Sequence, residues 1–434
     1  MSDKLGPKAI STIKSVFLIL FVDLMGFSII FPLFPDLIDY YLETDRNNFL
    51  LSFIINLIGD IDSDFGRFKL IVLFGGIIGA IYSLLQYISS PFWGNLSDKI
   101  GRKTVLKITL MGTFFSYVVW IFSASFTVLV LSRVLSGLMS GNISVATACI
   151  SDVTNEKNRS KGMAFVGIAF ALGFILGPAL GGIFSLVSFE VMPYMHKFSA
   201  VALVASLLSF INIVFIYFKF EETNKLDNNN SDKKIINPLK LLKPVSDKSL
   251  SLINYSYFIF IVLFSAMEFT LTFAAFERLS YRSHDNALMF VYIGFILIVV
   301  QGGFVRRRAH SIGELKMSLI GLSLLVPGFL GLSFFSSTLG LYLSLLFLAI
   351  ASSLCIPTMT SLNTMYSKEG HHGLNLGRFR SMGSLGRVIG PLIGSLGYLF
   401  LGGDKMYMYL SIICWIPFFI LKKLPQPSKK DTSI

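Results

Sequence analysis

The sequence predicts an all-α membrane protein: twelve transmembrane helices in two pseudo-symmetric six-helix bundles. Of its 434 residues 53% are hydrophobic and 14% charged, with a mean hydropathy of +0.70, too little polar cover for a water-soluble fold. Apolar runs long enough to cross a hydrocarbon layer of roughly 30 Å recur along the whole chain. The third observation is charge placement. With the N-terminus taken as cytoplasmic, 28 of the 37 Lys and Arg lie in the tails and even-numbered loops, 7 lie on the other side, and Arg133 and Arg387 fall inside the membrane. That is the positive-inside pattern with both termini cytoplasmic. The net charge of +12 is therefore topology, and no nucleic-acid partner is expected.

The runs fall at about 14–36, 69–92, 105–125, 127–149, 163–187, 198–220, 252–276, 286–304, 316–336, 338–362, 380–401 and 405–421. The polar start MSDKLGPKAISTIKS leads into the first span with no small-residue cleavage site, so no removable signal peptide is expected. Pro32 and Pro35 should kink or end that span near its outer end. The long connection after it, about 37–68, holds LLSFIINLIG, too short to cross and expected as a surface or re-entrant helix. A polar stretch from 221 to 248 separates spans 6 and 7 and reads as a cytoplasmic linker. The expected organisation is an N-terminal bundle (1–220), a linker (221–249), a C-terminal bundle (250–421) and a cytoplasmic tail (422–434).

The halves carry traces of a repeat. GFILGPALGG (173–182, span 5) returns as GRVIGPLIGS (386–395, span 11) 213 residues later, with Gly177-Pro178 and Gly181 matched by Gly390-Pro391 and Gly394. GGFVRRRAHSIGE (302–314) holds in loop 8–9 the place that GNLSDKIGRKTVLK (94–107) holds in loop 2–3, as a decayed copy. Two six-helix halves around a cavity are the architecture of transporters that rock one half on the other.

Four ionisable residues lie well inside the bilayer, and their charges cancel: Asp23, Arg133, Glu268 and Arg387. Such residues are costly in lipid and face a cavity or a partner. Measured from the cytoplasmic boundary, Asp23 lies ~14 Å deep, Arg133 ~20 Å, Glu268 ~24 Å and Arg387 ~10 Å. Asp23 and Arg133 are thus expected to meet, whereas Glu268 and Arg387 differ by more than one helical turn and need other partners. A carboxyl in low dielectric can load and release a proton near neutrality, which makes Asp23 and Glu268 the proton-coupling candidates. A guanidinium keeps its charge, so Arg133 and Arg387 suit an anionic substrate group or a buried-charge partner. The plainer alternative, that the carboxyls are satisfied interhelical pairs, stays open.

Other chemistry is thinly supported. Cys149, Cys355 and Cys414 show no paired spacing, so neither a disulfide framework nor a metal site is expected. His196, His284, His310, His371 and His372 fall in loops, and the His371-His372 pair beside a glycine-rich loop reads as solvated and not as a metal site. No glycine-rich phosphate loop with Lys-Ser/Thr is present, which argues against ATP drive, and no buried nucleophile–base pair argues for an enzyme. No cofactor is expected.

Gly94, Asp98, Gly101, Arg102 and Lys103 fill G-x-L-x-D-x-x-G-R-K, which resembles the signature between helices 2 and 3 of the major facilitator superfamily. A short turn needs glycines for close approach, and charges there also anchor the cytoplasmic surface. The resemblance implies more, a latch: Asp98 faces the N-terminal end of helix 11, whose dipole favours an anion, and Arg102 pairs with Asp152 after helix 4. Such a latch closes the inner side and breaks when the halves rock. RVLSGLMSGNISVATACISDVTNEKNRSKGM (133–163) resembles the helix 4 signature of that superfamily, with Arg133 and Gly137 in place and Asp152 and Arg159 as the acid and base of loop 4–5.

Gly173, Gly177, Pro178, Gly181 and Gly182, echoed by Gly390 and Pro391, resemble the glycine–proline motif that accompanies antiport exporters in the superfamily. On packing grounds alone, glycines four apart let a neighbouring helix approach closely. Asp23, Gly26, Pro32 and Pro35 resemble the helix 1 pattern of the twelve-helix drug:proton antiporters. LFGGIIGAIYSLLQYISSPFWGNLSDKIGRK, FSAMEFTLTFAAFERL and SLGRVIGPLIG are similar to the tetracycline-transporter-like branch, whose eukaryotic members carry organic anions. The resemblance implies a monomeric proton-coupled antiporter in the cell membrane or an endomembrane. It would export small amphiphilic molecules such as tetracycline-like drugs or organic anions, with substrate, protons and the lipid bilayer as its partners. A uniporter or symporter for a metabolite or lysolipid, and a non-transporting membrane receptor, are the alternatives.

Overall fold

Backbone placed in lipid must satisfy its own hydrogen bonds, and a helix does so within one segment. In the computed structural model, which describes residues 6–58, 64–154, 156–224, 247–367 and 372–425, every regular element is helical. Eleven stretches are long and apolar enough to cross a membrane. The first runs over Pro7–Thr44 and is built from α1 (Pro7–Ser28), a single 3-10 turn (Phe31–Leu33) and α2 (Phe34–Thr44), so the kink falls at Pro32 and Pro35 as the sequence predicts. A short α3 (Phe49–Ile58) follows, with Phe49 and Phe53 exposed one turn apart. Asp45, just before it, accepts from the Phe126 amide at 2.8 Å and the Ser125 hydroxyl at 2.9 Å, placing a carboxylate at the positive end of the helix that starts at Phe126.

The remaining helices of the N-terminal half are α4 (Asp64–Ile100), α5 (Arg102–Ile121), α6 (Phe126–Met139), α7 (Asn142–Val153), α8 (Glu156–Phe184) and α9 (Ser199–Lys219). The C-terminal half holds α10 (Lys248–Leu279), α11 (Ser283–Ile298) with a π-helical continuation (Val299–Val305), α12 (Arg306–Ile312), α13 (Glu314–Phe334), α14 (Thr338–Tyr366), α15 (His372–Ile413) and α16 (Trp415–Lys422). The last two predicted spans lie in one stretch, Asn375–Lys422, that is broken at Gly402 (φ 78°). Tyr398 and Tyr407 have ring centroids 6.3 Å apart. Nine residues of straight helix would separate them by about 13 Å, so the chain doubles back at Gly402. Most of the predicted linker, residues 225–246, lies outside the described residues.

The repeated glycine motifs set how each half is assembled. A Cβ on Gly173 would sit 2.6 Å from the Leu24 Cβ, one on Gly177 2.6 Å from the Met25 carbonyl, and one on Gly181 would strike the Ile29 carbonyl. In the second half, Gly390 and Gly394 would meet the carbonyls of Val262 and Ala266 at 2.9 and 2.8 Å. Helix α8 therefore lies backbone-to-backbone on α1, and α15 does so on α10. Both packings share one offset of 237 residues, which pairs Asp23 with Phe260 and Glu268 with Phe31. Gly182 departs from the stripe and faces Ala287 and Ser283 of the other half.

The halves meet at the face where α2 ends and α11 begins, here called the far side. Arg282 Nη1 lies 3.0 Å from Asp36 and 3.1 Å from Asp39; the Ser283 amide donates to Asp36 at 2.9 Å, its hydroxyl bonds the same carboxylate, and Asn286 donates to the Pro32 carbonyl at 3.2 Å. Deeper in, Gly294 packs against Ile175. Toward the opposite face, the linker side, a Cβ on Gly167, Gly302, Gly303 or Gly377 would find no atom within 4 Å.

Among the loop histidines His196 is fully buried: the Phe198 amide donates to Nδ1 at 3.2 Å, and Nε2 lies 3.2 Å from the Trp120 carbonyl and 3.1 Å from the Ser123 hydroxyl. Burial pushes its imidazole down to about 4. His371 lies outside the described residues, as do the side chains of His310 and His372. All three cysteines are free and buried.

Candidate functional site

The charged residues set inside the membrane-spanning stretches come from α1, α6, α10 and α15. Glu268, on α10, is half-buried and has neither a hydrogen bond nor an ion pair among the described residues. Arg387, on α15, lies within electrostatic reach of Glu268 without pairing with it. Its guanidinium stacks across the boundary on α8, with its carbon 4.7 Å from the Phe170 ring centroid and 5.6 Å from that of Phe174. The sequence placed these two charges at different depths and in need of other partners, and aromatic faces are what Arg387 finds.

Asp23 and Arg133, expected to meet, do not. Asp23 accepts a hydrogen bond from Asn142 Nδ2 at 3.0 Å, and the Thr109 hydroxyl donates to Asn142 Oδ1. Arg133 is 3% exposed, with its guanidinium carbon 4.5 Å from the Trp120 ring and 5.9 Å from the Tyr117 ring, and Nε 3.3 Å from the Ser132 hydroxyl. The depth estimate gave each residue a height but not a direction around its helix. Arg133 points into the N-terminal half, onto aromatic rings of α5.

Asn142 owes its position to a break that the sequence reading missed. The fourth span is split at Ser140 and Gly141, so Asn142 starts a new helix level with Asp23. The Trp93 indole donates to the freed Leu138 carbonyl at 2.7 Å, and the Ser89 hydroxyl to Gly137 at 3.2 Å, satisfying backbone that lipid would leave bare. Three consecutive residues that favour turns and caps, Ser140-Gly141-Asn142, were the available signal.

At the linker side the loop 2–3 motif is folded on itself. Gly101 (φ 98°) starts α5, and Gly94 lets Ser144 come to 3.0 Å from the place of a Cβ. Arg102 reaches Asp152 at 3.0 Å, Asp98 at 2.6 Å and the Ser97 hydroxyl at 2.5 Å. The expected Arg102–Asp152 pair is therefore formed. Asp98 is engaged by Arg102. Glu222, read from sequence as linker, caps α5 instead: its carboxylate accepts from the amides of Arg102 and Lys103 at 2.9 and 3.0 Å. Thr223 joins the cluster by donating to Asp152 at 3.1 Å. The side chain of Arg159 lies outside the described residues. In the decayed copy, Gly313 (φ 91°) starts α13 as Gly101 starts α5, but among the described residues no acid–base cluster forms around it.

Membrane-crossing helices of two halves joined at one face, with ionisable residues set among them, are the features of a membrane transporter. The chain belongs to the Major Facilitator Superfamily, whose sequence profile matches residues 16–391, with a further match over 307–433. It is 32% identical to human major facilitator superfamily domain-containing protein 10 over 98% of this chain and 95% of that protein. It is 25% identical to the class B tetracycline resistance protein of Escherichia coli over 98% and 99%. The crystal structure of the human organic anion transporter MFSD10 (TETRAN) superposes with a TM-score of 0.76 at 31% identity, covering 96% of this chain and 100% of that one. The protein is thus a multi-pass integral membrane transporter and not an enzyme.

Proposed function

We propose that this protein is a proton-coupled antiporter that exports small amphiphilic organic molecules carrying an acid group. In this reading the chain crosses the membrane twelve times, the reversal at Gly402 supplying the last two crossings. Both termini and the linker face the cytoplasm, residues 1–220 and 250–421 are the two bundles, and the structure is the cytoplasm-open state. Organic anion transport, which names the human relative, and tetracycline resistance, which names the bacterial one, support the substrate class.

One observation carries the coupling: among the described residues Glu268 is half-buried without a hydrogen bond, beside an Arg387 it does not pair with, and in this reading both face a cavity between the halves. An acid group on the substrate suits Arg387. A donor group on the same substrate suits ionised Glu268, so substrate and proton compete for one carboxylate. That competition makes exchange of one for the other the favoured cycle, because each ligand excludes its rival from the site. The test is accumulation of organic anions and tetracycline-like compounds in liposomes holding the purified protein, under an imposed pH gradient. Antiport predicts accumulation when the compartment being filled is the more acidic, since protons then flow out in exchange. Indifference to the gradient would mark a uniporter, and the opposite response a symporter.

A further inference from the structure

We infer that Arg380 and Arg387 form a two-point anion site that selects substrates with two acid groups over those with one. The inference rests on the anion-export reading above and deepens it. By its place near the end of a span Arg380 counts with the cytoplasmic loop charges, yet it lies within α15, half-buried, with its Nε buried and without a hydrogen-bond partner. No ion pair or hydrogen bond holds its guanidinium among the described residues. Seven residues are almost two full turns, so Arg380 and Arg387 share one face of the helix, about 10 Å apart along its axis. They lie close enough to act on each other electrostatically, and Tyr257 is the other titratable group facing Arg380. Arg378, two residues from Arg380, points to another side.

The pseudo-symmetry says what lies opposite. The 213-residue offset between spans 5 and 11 makes Phe174 the counterpart of Arg387, and Arg387 stacks on Phe174 itself, so equivalent positions meet across the cavity. Two turns toward the linker side the counterpart of Arg380 is Gly167, where a Cβ would touch nothing within 4 Å. Gly167 thus leaves room for a ligand opposite the second guanidinium's position on the helix. Two positive charges sharing a face with no acid paired to either are destabilising unless an anion visits both, and Glu268 offers one carboxylate to Arg387 alone. The class of ligand that fits is an amphiphilic dianion, with its apolar body on Phe170 and Phe174 and its acid groups on the two arginines.

Two fluorescent probes test this on the purified full-length protein: a naphthol carrying one carboxylate, and the same naphthol with a second carboxylate on the opposite ring. Binding is measured by calorimetry for wild type, Arg380→Gln and Arg380→Lys. Wild type should prefer the two-carboxylate probe. Arg380→Gln should lose about tenfold in affinity for that probe, the worth of one charge-assisted contact, while its affinity for the one-carboxylate probe stays within about twofold, which also shows that the variant is folded. Arg380→Lys should retain most of the preference. Equal losses for both probes, or no loss for either, would overturn the inference and leave the anion reading standing. Failure of wild type to bind either probe would overturn both.

Discussion

Asp23 and Glu268 are acidic residues set deep in membrane-spanning helices, and they are not counterparts. The packing of α8 on α1 and of α15 on α10 pairs Asp23 with Phe260 and Glu268 with Phe31, which puts the carboxyls eight residues, or about 12 Å, apart in depth. Their surroundings differ as much. Asp23 is held by Asn142, itself fixed by Thr109, at the start of a helix that breaks at that level to supply the contact. Glu268 is held by nothing among the described residues and has a cation within electrostatic reach. A carboxylate with a fixed donor is stabilised in one place, and one without is free to exchange ligands. The comparison teaches that the repeat fold supplies a frame while the chemistry is divided unequally; in the proposed cycle Glu268 exchanges protons and Asp23 positions the N-terminal half.

The sharpest way to break that division is Glu268→Gln. It should reduce pH-gradient-driven accumulation at least about tenfold, the scale of one lost charged contact, while substrate-for-substrate exchange persists; retention of gradient drive would transfer the coupling elsewhere. Arg387→Gln should weaken binding of anionic substrates by about tenfold, with a smaller effect on uncharged analogues, read by competition binding. Asp23→Asn should keep coupling intact and cost only a few-fold in rate, because an amide in place of the carboxylate can still meet Asn142. Loss of coupling in Asp23→Asn equal to that in Glu268→Gln would erase the difference between the two sites.

A smaller effect is expected at the linker side. Asp98→Asn should leave the protein folded and lower turnover, and accessibility of cysteines placed at the ends of α4 and α15 should show a changed balance of states. Unchanged transport with an unchanged balance would rule out a latch. The smallest effect concerns stability alone. His196 is buried neutral at about 4, below the usual range near 6.5, so the unfolded chain binds the proton more readily. Its contribution is fully present above about pH 6.5 and is lost progressively as pH falls toward 4, on the order of 3 kcal/mol at the low end. His196→Gln should flatten that part of the pH dependence of thermal unfolding.

Much of this architecture was legible in the chain. Apolar runs gave the crossing helices, Pro32 and Pro35 the first kink, and the repeated Gly177-Pro178 and Gly390-Pro391 the helix pairs that assemble each half. Turn chemistry at Gly101 and Gly313 was legible too, because a positive φ at a helix start favours a residue with no Cβ. What escaped were directions and distant partners. Depths within reach of a long Arg side chain suggested an Asp23–Arg133 pair, but height in the membrane says nothing of the face on which a side chain emerges, and Arg133 turned to Trp120. Arg380 was hidden among loop charges, although its seven-residue spacing from Arg387 was readable. The far-side contacts of Asp36 and Asp39 with Arg282 join residues more than 240 positions apart, and nothing local announces them.

The most direct test of the account is proton movement itself. Substrate added to liposomes holding the wild-type protein, with a pH-sensitive dye to report release, should displace protons, and Glu268→Gln should bind substrate and displace none. Proton release that survives in Glu268→Gln, or substrate transport by the wild type with no proton signal, would contradict it.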